Sequence, residues 1–222
     1  MLILWLAAAS MTLCMWPGFS CPAEAGDVNA AVRDQRDQPV EDAVVLAVPE
    51  GKAVTIPAKP GREAVDQINL EFVPYVKPIL VGSPVYFPNK DNIRHHVYSF
   101  SAAKRFELPL YVGTPAEPVV FDRSGVVTIG CNIHDWMIGH IYVAETPNSG
   151  KTGADGRVRL DNLPPGRYAV RVWHPRMEGS EESTSRSVSI DKSGAVDIAW
   201  QLRLRQELRP RRAPVPGQRG YR

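Results

Sequence analysis

The chain has 222 residues and a formal charge of +2 from 26 basic and 24 acidic side chains, so no overall field directs it to nucleic acid or a membrane surface. That length holds one large domain or two small β domains, and a composition that is 44% hydrophobic, with Gly and Pro together at 37 residues, excludes a coiled coil, a collagen and a disordered chain. Three Cys are too few for a disulfide-stapled scaffold.

The run Leu2 to Trp16 is almost unbroken apolar, yet shorter than the roughly 17–25 residues of a membrane-spanning helix. Pro17-Gly18 breaks it and Ala23-Glu24-Ala25 follows, so residues 1–25 read as a secretory signal, although no Lys or Arg precedes Arg33. The residues before Cys14 and Cys21 do not form a lipoprotein box, so export without a stable membrane anchor is expected. Cleavage leaves Cys131 as a lone thiol. In an exported protein such a thiol oxidises unless it is buried or bound to a metal.

From there the pattern is that of short strands separated by turns, and an all-β fold is expected. Val28–Val32 and Ala43–Val48 flank the turn-rich Asp34 to Pro39. Ile68–Phe72, Ile79–Val81, Val85–Phe87, His96–Phe100, Phe106–Leu110, Val119–Phe121, Val126–Ile129 and Ile141–Val143 follow at sandwich-like spacing. A second pattern starts at Thr146-Pro147, with turns at Ala154-Asp155-Gly156 and Leu163-Pro164-Pro165-Gly166. Val158 and Leu160, then Tyr168, Val170 and Val172, then Val188 and Ile190, then Val196 to Leu204 alternate as strands; Glu178 to Ser185 reads as loop. The end, Arg203 to Arg222, carries seven Arg against one Glu, with three Pro, so residues 205–222 read as a solvated, unfolded tail.

The chemistry gathers in Gly130-Cys131-Asn132-Ile133-His134-Asp135-Trp136-Met137, expected as a loop that leads into the strand at Ile141. His95-His96 lies upstream at the mouth of a strand. One thiolate, two imidazoles and a thioether are the donors of a trigonal blue-copper site with a long axial Met. Two donors three residues apart reach one centre only if the chain between them turns, and metal binding would protect the lone thiol. The bland alternative makes Cys131 and His134 core residues and Met137 a packing residue. His140 and His174 read as structural, and Trp173 and Met177 as packing.

These residues carry a family resemblance. From about Asp66 to Val143 the chain resembles a cupredoxin of the plastocyanin/amicyanin type, with Cys131, His134 and Met137 at the amicyanin-length spacing. Arg94 to Phe100 together with Gly130 to Met137 is most similar to periplasmic proteins labelled methylamine-utilisation proteins. The resemblance implies an eight-stranded Greek-key sandwich, one type-1 copper held by His95, Cys131, His134 and Met137, and a periplasmic location. It also implies single-electron transfer with partners such as a cytochrome c or a dehydrogenase. The chain departs from the pattern twice. His96 stands where the family usually has an Asn that ties the two ligand loops together, so it either serves that tie or is the first ligand in a shifted register. Asp135 stands where amicyanin-like loops place Pro.

Thr152 to Gly156, Leu163 to Gly166 and Tyr168 resemble the carboxypeptidase regulatory-like, transthyretin-like β-sandwich, and Val28 to Val48 resembles its first two strands. The expectation is one module split as 27–58 and 146–204, with the cupredoxin, 62–145, inserted; the alternative is that the N-terminal strands complete the cupredoxin sheet. The reading is of a non-enzymatic, monomeric electron carrier, since a copper enzyme needs a second site with further His. A copper-binding or delivery protein is the alternative.

Overall fold

Alternation of β-branched and polar residues, cut by Gly, Pro, Asn and Asp, leaves extended backbone as the favoured conformation over nearly the whole chain. The computed structural model describes residues 25–57, 60–191 and 194–206, and there the protein is all-β apart from a 3-10 turn at Glu181–Thr184. The expected signal segment and most of the basic tail lie outside the described residues. No helix among the described residues is long and apolar enough to cross a membrane.

Strands β1 (Gly26–Asp34) and β2 (Val44–Pro49) come first. The middle of the chain supplies β3 (Glu63–Ala64), β4 (Asp66–Ile68), β5 (Glu71–Val73), β6 (Val76–Leu80) and β7 (Pro84–Tyr86). It continues with β8 (His95–Ser101), β9 (Lys104–Tyr111), β10 (Val119–Val120), β11 (Gly125–Cys131) and β12 (His134–Ala144). β13 (Ser149–Lys151), β14 (Arg157–Leu163), β15 (Gly166–Trp173), β16 (Arg186–Ile190) and β17 (Ala195–Leu202) complete the chain.

In the middle, a five-stranded sheet ordered β6-β12-β11-β8-β9 faces a small sheet ordered β10-β7-β3. Val85, Phe87, Val97, Phe121, Val127, Ile129 and Ile141 fill the space between them. At the ends, β1 lies between β14 and β17, and β2 between β13 and β15. Val28, Ala30, Val32, Val45, Ala47, Leu163, Val170, Val172 and Trp200 form a second, separate core. The two strands nearest the N-terminus therefore pair with strands that follow Thr146, across the whole middle segment.

The two sandwiches touch along one apolar seam. Val44 and Leu46 of β2 pack with Val76 of β6 and with Tyr142 and Ala144 of β12, and Trp173 joins them. A polar network closes its edge. The Tyr142 hydroxyl donates to both Glu181 oxygens at 2.7 and 2.8 Å, and Arg171 donates to Glu181 at 2.6 Å and also to Glu145. The 3-10 turn that supplies Glu181 lies in the stretch expected to be loop, because its sequence carries no apolar period.

Two expectations need correction. Ile68–Phe72 is not one strand but the hairpin β4–β5, whose Asn69 and Leu70 have φ of 53° and 61°. Two left-handed residues in a row make a tight turn, and Leu in second place hides it from a reading based on Gly. The loop after Cys131 is also shorter than expected. β12 begins at His134, so a two-residue turn, Asn132 and Ile133, already sets Cys131 across from His134, while Asp135 to Met137 follow as an extended bulge with no partner in β11, whose Gly130 pairs with Ile138.

Candidate metal centre

That two-residue connection sets the first part of the site. In the β11–β12 ladder Cys131 stands directly across from His134, with a bulge between Gly130 and Cys131. Facing residues of an antiparallel pair send their side chains to the same side, with Cβ atoms roughly 5 Å apart. The Cys131 Sγ accordingly lies 3.6 Å from His134 Nδ1. A Cys-x₂-His spacing across a two-residue hairpin thus aims both donors at one point.

The third donor comes from β8, the neighbour of β11. His95, Val97 and Ser99 alternate onto its inner face and are buried, and His95 is fully enclosed. The His95 and His134 rings lie 5.0 Å apart, centroid to centroid, at 65°. One donor atom each from His95, Cys131 and His134 falls within 4.8 Å of the others, and among the described residues this is the one group of three His, Cys, Asp or Glu so placed.

The nitrogens of His95 show how it is set. Nε2 lies 2.8 Å from Asp91 Oδ2, and an ionised carboxylate only accepts, so the ring proton sits on Nε2. Nδ1 is buried and without a hydrogen-bond partner, and in the neutral ring it is the nitrogen that carries the lone pair. Burial works to raise the Asp91 carboxyl, but hydrogen bonds from Leu70 N–H, the His95 ring and Asn69 N–H outweigh it and hold it below the usual carboxylate range. Partial burial, with the His95 ring beside it, pushes His134 below the usual imidazole range. A depressed value favours the neutral ring that a metal ligand needs.

A buried nitrogen with no partner costs about 1–3 kcal/mol unless something satisfies it. The ring that carries it has one nitrogen within 4.8 Å of a thiol and a second imidazole, a soft and borderline donor set that suits copper in both oxidation states. The residues present therefore fit the ion the sequence points to. Met137 is 1% exposed and packs in the same cluster as Cys131. Tyr111, across from His95 in the ladder, donates to Phe87 O and accepts from Gln67 Nε2. Burial, and to a lesser degree the nearby Cys131, push its hydroxyl up to about 12.

His96 is placed differently. It alternates to the outer face of β8, where Nε2 meets Glu107 at 2.9 Å and the ring packs on Tyr98. It neither joins the donor cluster nor ties the two ligand loops. That expectation fails because neighbours along a strand face opposite sides of the sheet. His140 bonds Thr128 and meets Trp173 and Tyr75 at the seam between the sandwiches, and His174 is buried, with Nδ1 accepting from Arg176 N. Asp91, Asn69 and Leu70 carry no signal in the sequence as parts of the site, and Trp136, although it lies in the motif, gives no sign there of the bond its indole makes to Leu70. Their link to His95 and His134 runs through a hairpin turn that carries no motif.

No protein-family model and no curated protein matches the chain. Solved structures that match are cupredoxins. A Cu-containing nitrite reductase from Thermus scotoductus SA-01 is 26% identical over 42% of this chain and 25% of its own length, with a TM-score of 0.36. A purple cupredoxin from Nitrosopumilus maritimus is 23% identical over 38% of this chain and all of its own length, with a TM-score of 0.33. An amicyanin variant in the Cu(I) state is 16% identical over 45% of this chain and 98% of its own, with a TM-score of 0.34. The chain thus spans a quarter of the nitrite reductase.

Proposed function

We propose that the chain is an exported, periplasmic carrier that holds one type-1 copper between His95, Cys131 and His134, with Met137 as the weak fourth donor, and exchanges single electrons with redox proteins. The observation that carries this reading is the buried His95 ring, which leaves Nδ1 without a partner and places one of its nitrogens within 4.8 Å of a thiol and a second imidazole. Copper bound there supplies a one-electron couple at a site that must not rearrange between its two states.

The residues meet that demand. His95 is locked by β8 and by Asp91, and Cys131 and His134 by the ladder between β11 and β12. His134 is the donor residue with an exposed edge, beside Ile133, which is 49% exposed. An electron enters or leaves through that edge, and the apolar rim lets a partner approach without stripping water from charged groups. Asp135, also exposed, adds a negative charge to the rim and biases docking toward a basic partner face. We also read residues 27–58 and 146–204 as one module that carries 62–145 as an insert, supported by the pairing of β1 and β2 with the C-terminal strands.

Copper titration of the full mature chain tests the reading. The oxidised protein should be intensely coloured by thiolate-to-copper charge transfer and bleach reversibly with ascorbate. A colourless protein after full loading overturns the type-1 assignment, and fast loss of copper to a mild chelator makes it a delivery protein instead.

A further inference from the structure

The two ligand-bearing segments need a tie, and His96, which the resemblance offers either as that tie or as the first ligand, faces away. What joins them lies in the β4–β5 turn. Asp91 Oδ2 accepts from His95 Nε2 at 2.8 Å and from Leu70 N at 2.9 Å, while Oδ1 accepts from Asn69 N at 2.7 Å. The Leu70 carbonyl in turn accepts from the Trp136 indole at 3.2 Å. The Trp136 ring lies 5.4 Å from the His134 ring, which lies 5.0 Å from that of His95. The circuit closes on itself: His95, Asp91, Leu70, Trp136, His134 and back to His95.

Each link has a local cause. Asn69 and Leu70 both have positive φ, which turns their N–H groups to one side as a pair, the form of a small anion nest. Left-handed backbone is costly for a bulky residue such as Leu, and such strain persists where surrounding bonds hold it. Asp91 is itself positioned by Asn89, which is buried. The Asn89 Oδ1 accepts from Asp91 N at 3.0 Å, and its Nδ2 donates to Ile93 O and Tyr111 O, both at 2.8 Å. The carboxylate thus has three hydrogen-bond donors and a fixed backbone, and one of those donors is the ring of His95, whose other nitrogen is buried without a partner.

We propose that Asp91 is the positioning residue of the metal centre. Its carboxylate holds His95 as the Nε2–H tautomer with Nδ1 presented to the ion, and through Leu70 and Trp136 it joins the His95 strand to the Cys131–His134 hairpin. The metal-dependent part of this rests on the copper reading above. An anionic acceptor behind a ligand His makes the imidazole a better donor, and loss of such a partner typically costs 10–100-fold in metal affinity. The more highly charged ion gains more from that donor, so Asp91 favours the oxidised state and lowers the potential.

Two measurements on the full mature chain separate the parts. In the metal-free protein, long-range ¹⁵N NMR of His95 is expected to show one tautomer, protonated at Nε2, in the wild type. Asp91→Ala should mix both tautomers, while Trp136→Phe should leave the tautomer alone. In the copper-loaded protein, Asp91→Asn should bind Cu(II) at least tenfold more weakly. A tenfold loss for Cu(II) with Cu(I) unchanged raises the potential by about 59 mV. Trp136→Phe, which keeps a ring against His134 but removes the indole N–H, should weaken Cu(II) by a smaller factor. A wild-type His95 protonated at Nδ1 in the metal-free chain overturns the proposal, whether or not any variant folds. So does an Asp91→Asn protein with unchanged Cu(II) affinity and potential. A wild type with the expected tautomer but no charge-transfer colour sinks the copper reading and leaves the Asp91 clamp standing.

Discussion

The two sandwiches of this molecule bury polar atoms in opposite ways. In the flanking sandwich, the buried Thr152 hydroxyl accepts from Ala43 N and donates to Val40 O, and Thr146 accepts from Asn148 N and donates to Ala47 O. These side chains complete the backbone pairing of β2 and β13 and have no chemistry of their own. The middle sandwich buries Gln67, Asn89, His95 and His96, and leaves Gln67 Oε1, His95 Nδ1 and His96 Nδ1 without partners. Every such orphan among the described residues belongs to the middle sandwich. A fold built only for stability satisfies these groups. The His95 orphan has a thiol and an imidazole beside it, whereas nothing in the structure accounts for Gln67 Oε1 or His96 Nδ1.

The contrast breaks most sharply at the thiol. Cys131→Ser keeps the size of the side chain, so the full chain should still fold, yet the charge-transfer colour should vanish entirely. Visible absorption after copper loading, alongside circular dichroism of the metal-free protein, checks both. Retained colour would place the ion elsewhere.

Next in size is a break on the other side. Gly156 has φ of +72°, and a Cβ there would sit 2.5 Å from Val32 O and 2.9 Å from Val40 N. Gly156→Ala combines strained backbone with a clash against backbone that cannot give way, and should cost on the order of 3 kcal/mol. Thermal unfolding should show the loss in the flanking sandwich, with β1 nearest the damage. Copper colour at low temperature should be unchanged, since no residue of the site touches this turn.

These two positions also show what the sequence makes legible. Gly156 lies in an Asp-Gly turn that any reading of turn chemistry finds. Cys131 and His134 are legible because a hairpin turns the spacing of three into a shared face. His95 is legible as a donor type, but its neighbour has the same chemistry, and only the facing of β8 separates them. Asp91 and Leu70 are not legible at all. The link between them depends on two positive φ angles at a turn without Gly, and on a contact that joins residues 70 and 136 across the sheet. A single chain's pattern encodes period and turn type well, and contacts between distant loops hardly at all.

A smaller effect is expected where the two regions meet. Tyr142→Phe removes a hydroxyl that donates to Glu181, although Arg171 still pairs with that carboxylate. Hydrogen bonds to charged groups contribute about 1.5–3 kcal/mol, and the retained Arg171 places this one near the low end. The apolar seam of Val44, Leu46, Val76 and Trp173 remains. Calorimetry should show the unfolding of the two sandwiches less tightly coupled, as a broader transition at slightly lower temperature. An unchanged transition would mean that the apolar seam alone couples them.

The smallest change in stability carries the finest question about the site. Met137 is buried against the Cys131 cluster, and Met→Leu swaps in well-packed cores cost less than about 1.5 kcal/mol. Met137→Leu should therefore melt within a few degrees of the wild type in the metal-free state. If the thioether is the weak fourth donor, its removal destabilises the oxidised ion more than the reduced one. The copper-loaded variant should keep its colour, because His95, Cys131 and His134 are untouched, and show a higher potential in voltammetry. An unchanged potential would make Met137 a packing residue like those of the flanking core, and would reduce the difference between the two sandwiches to the three donors that already converge.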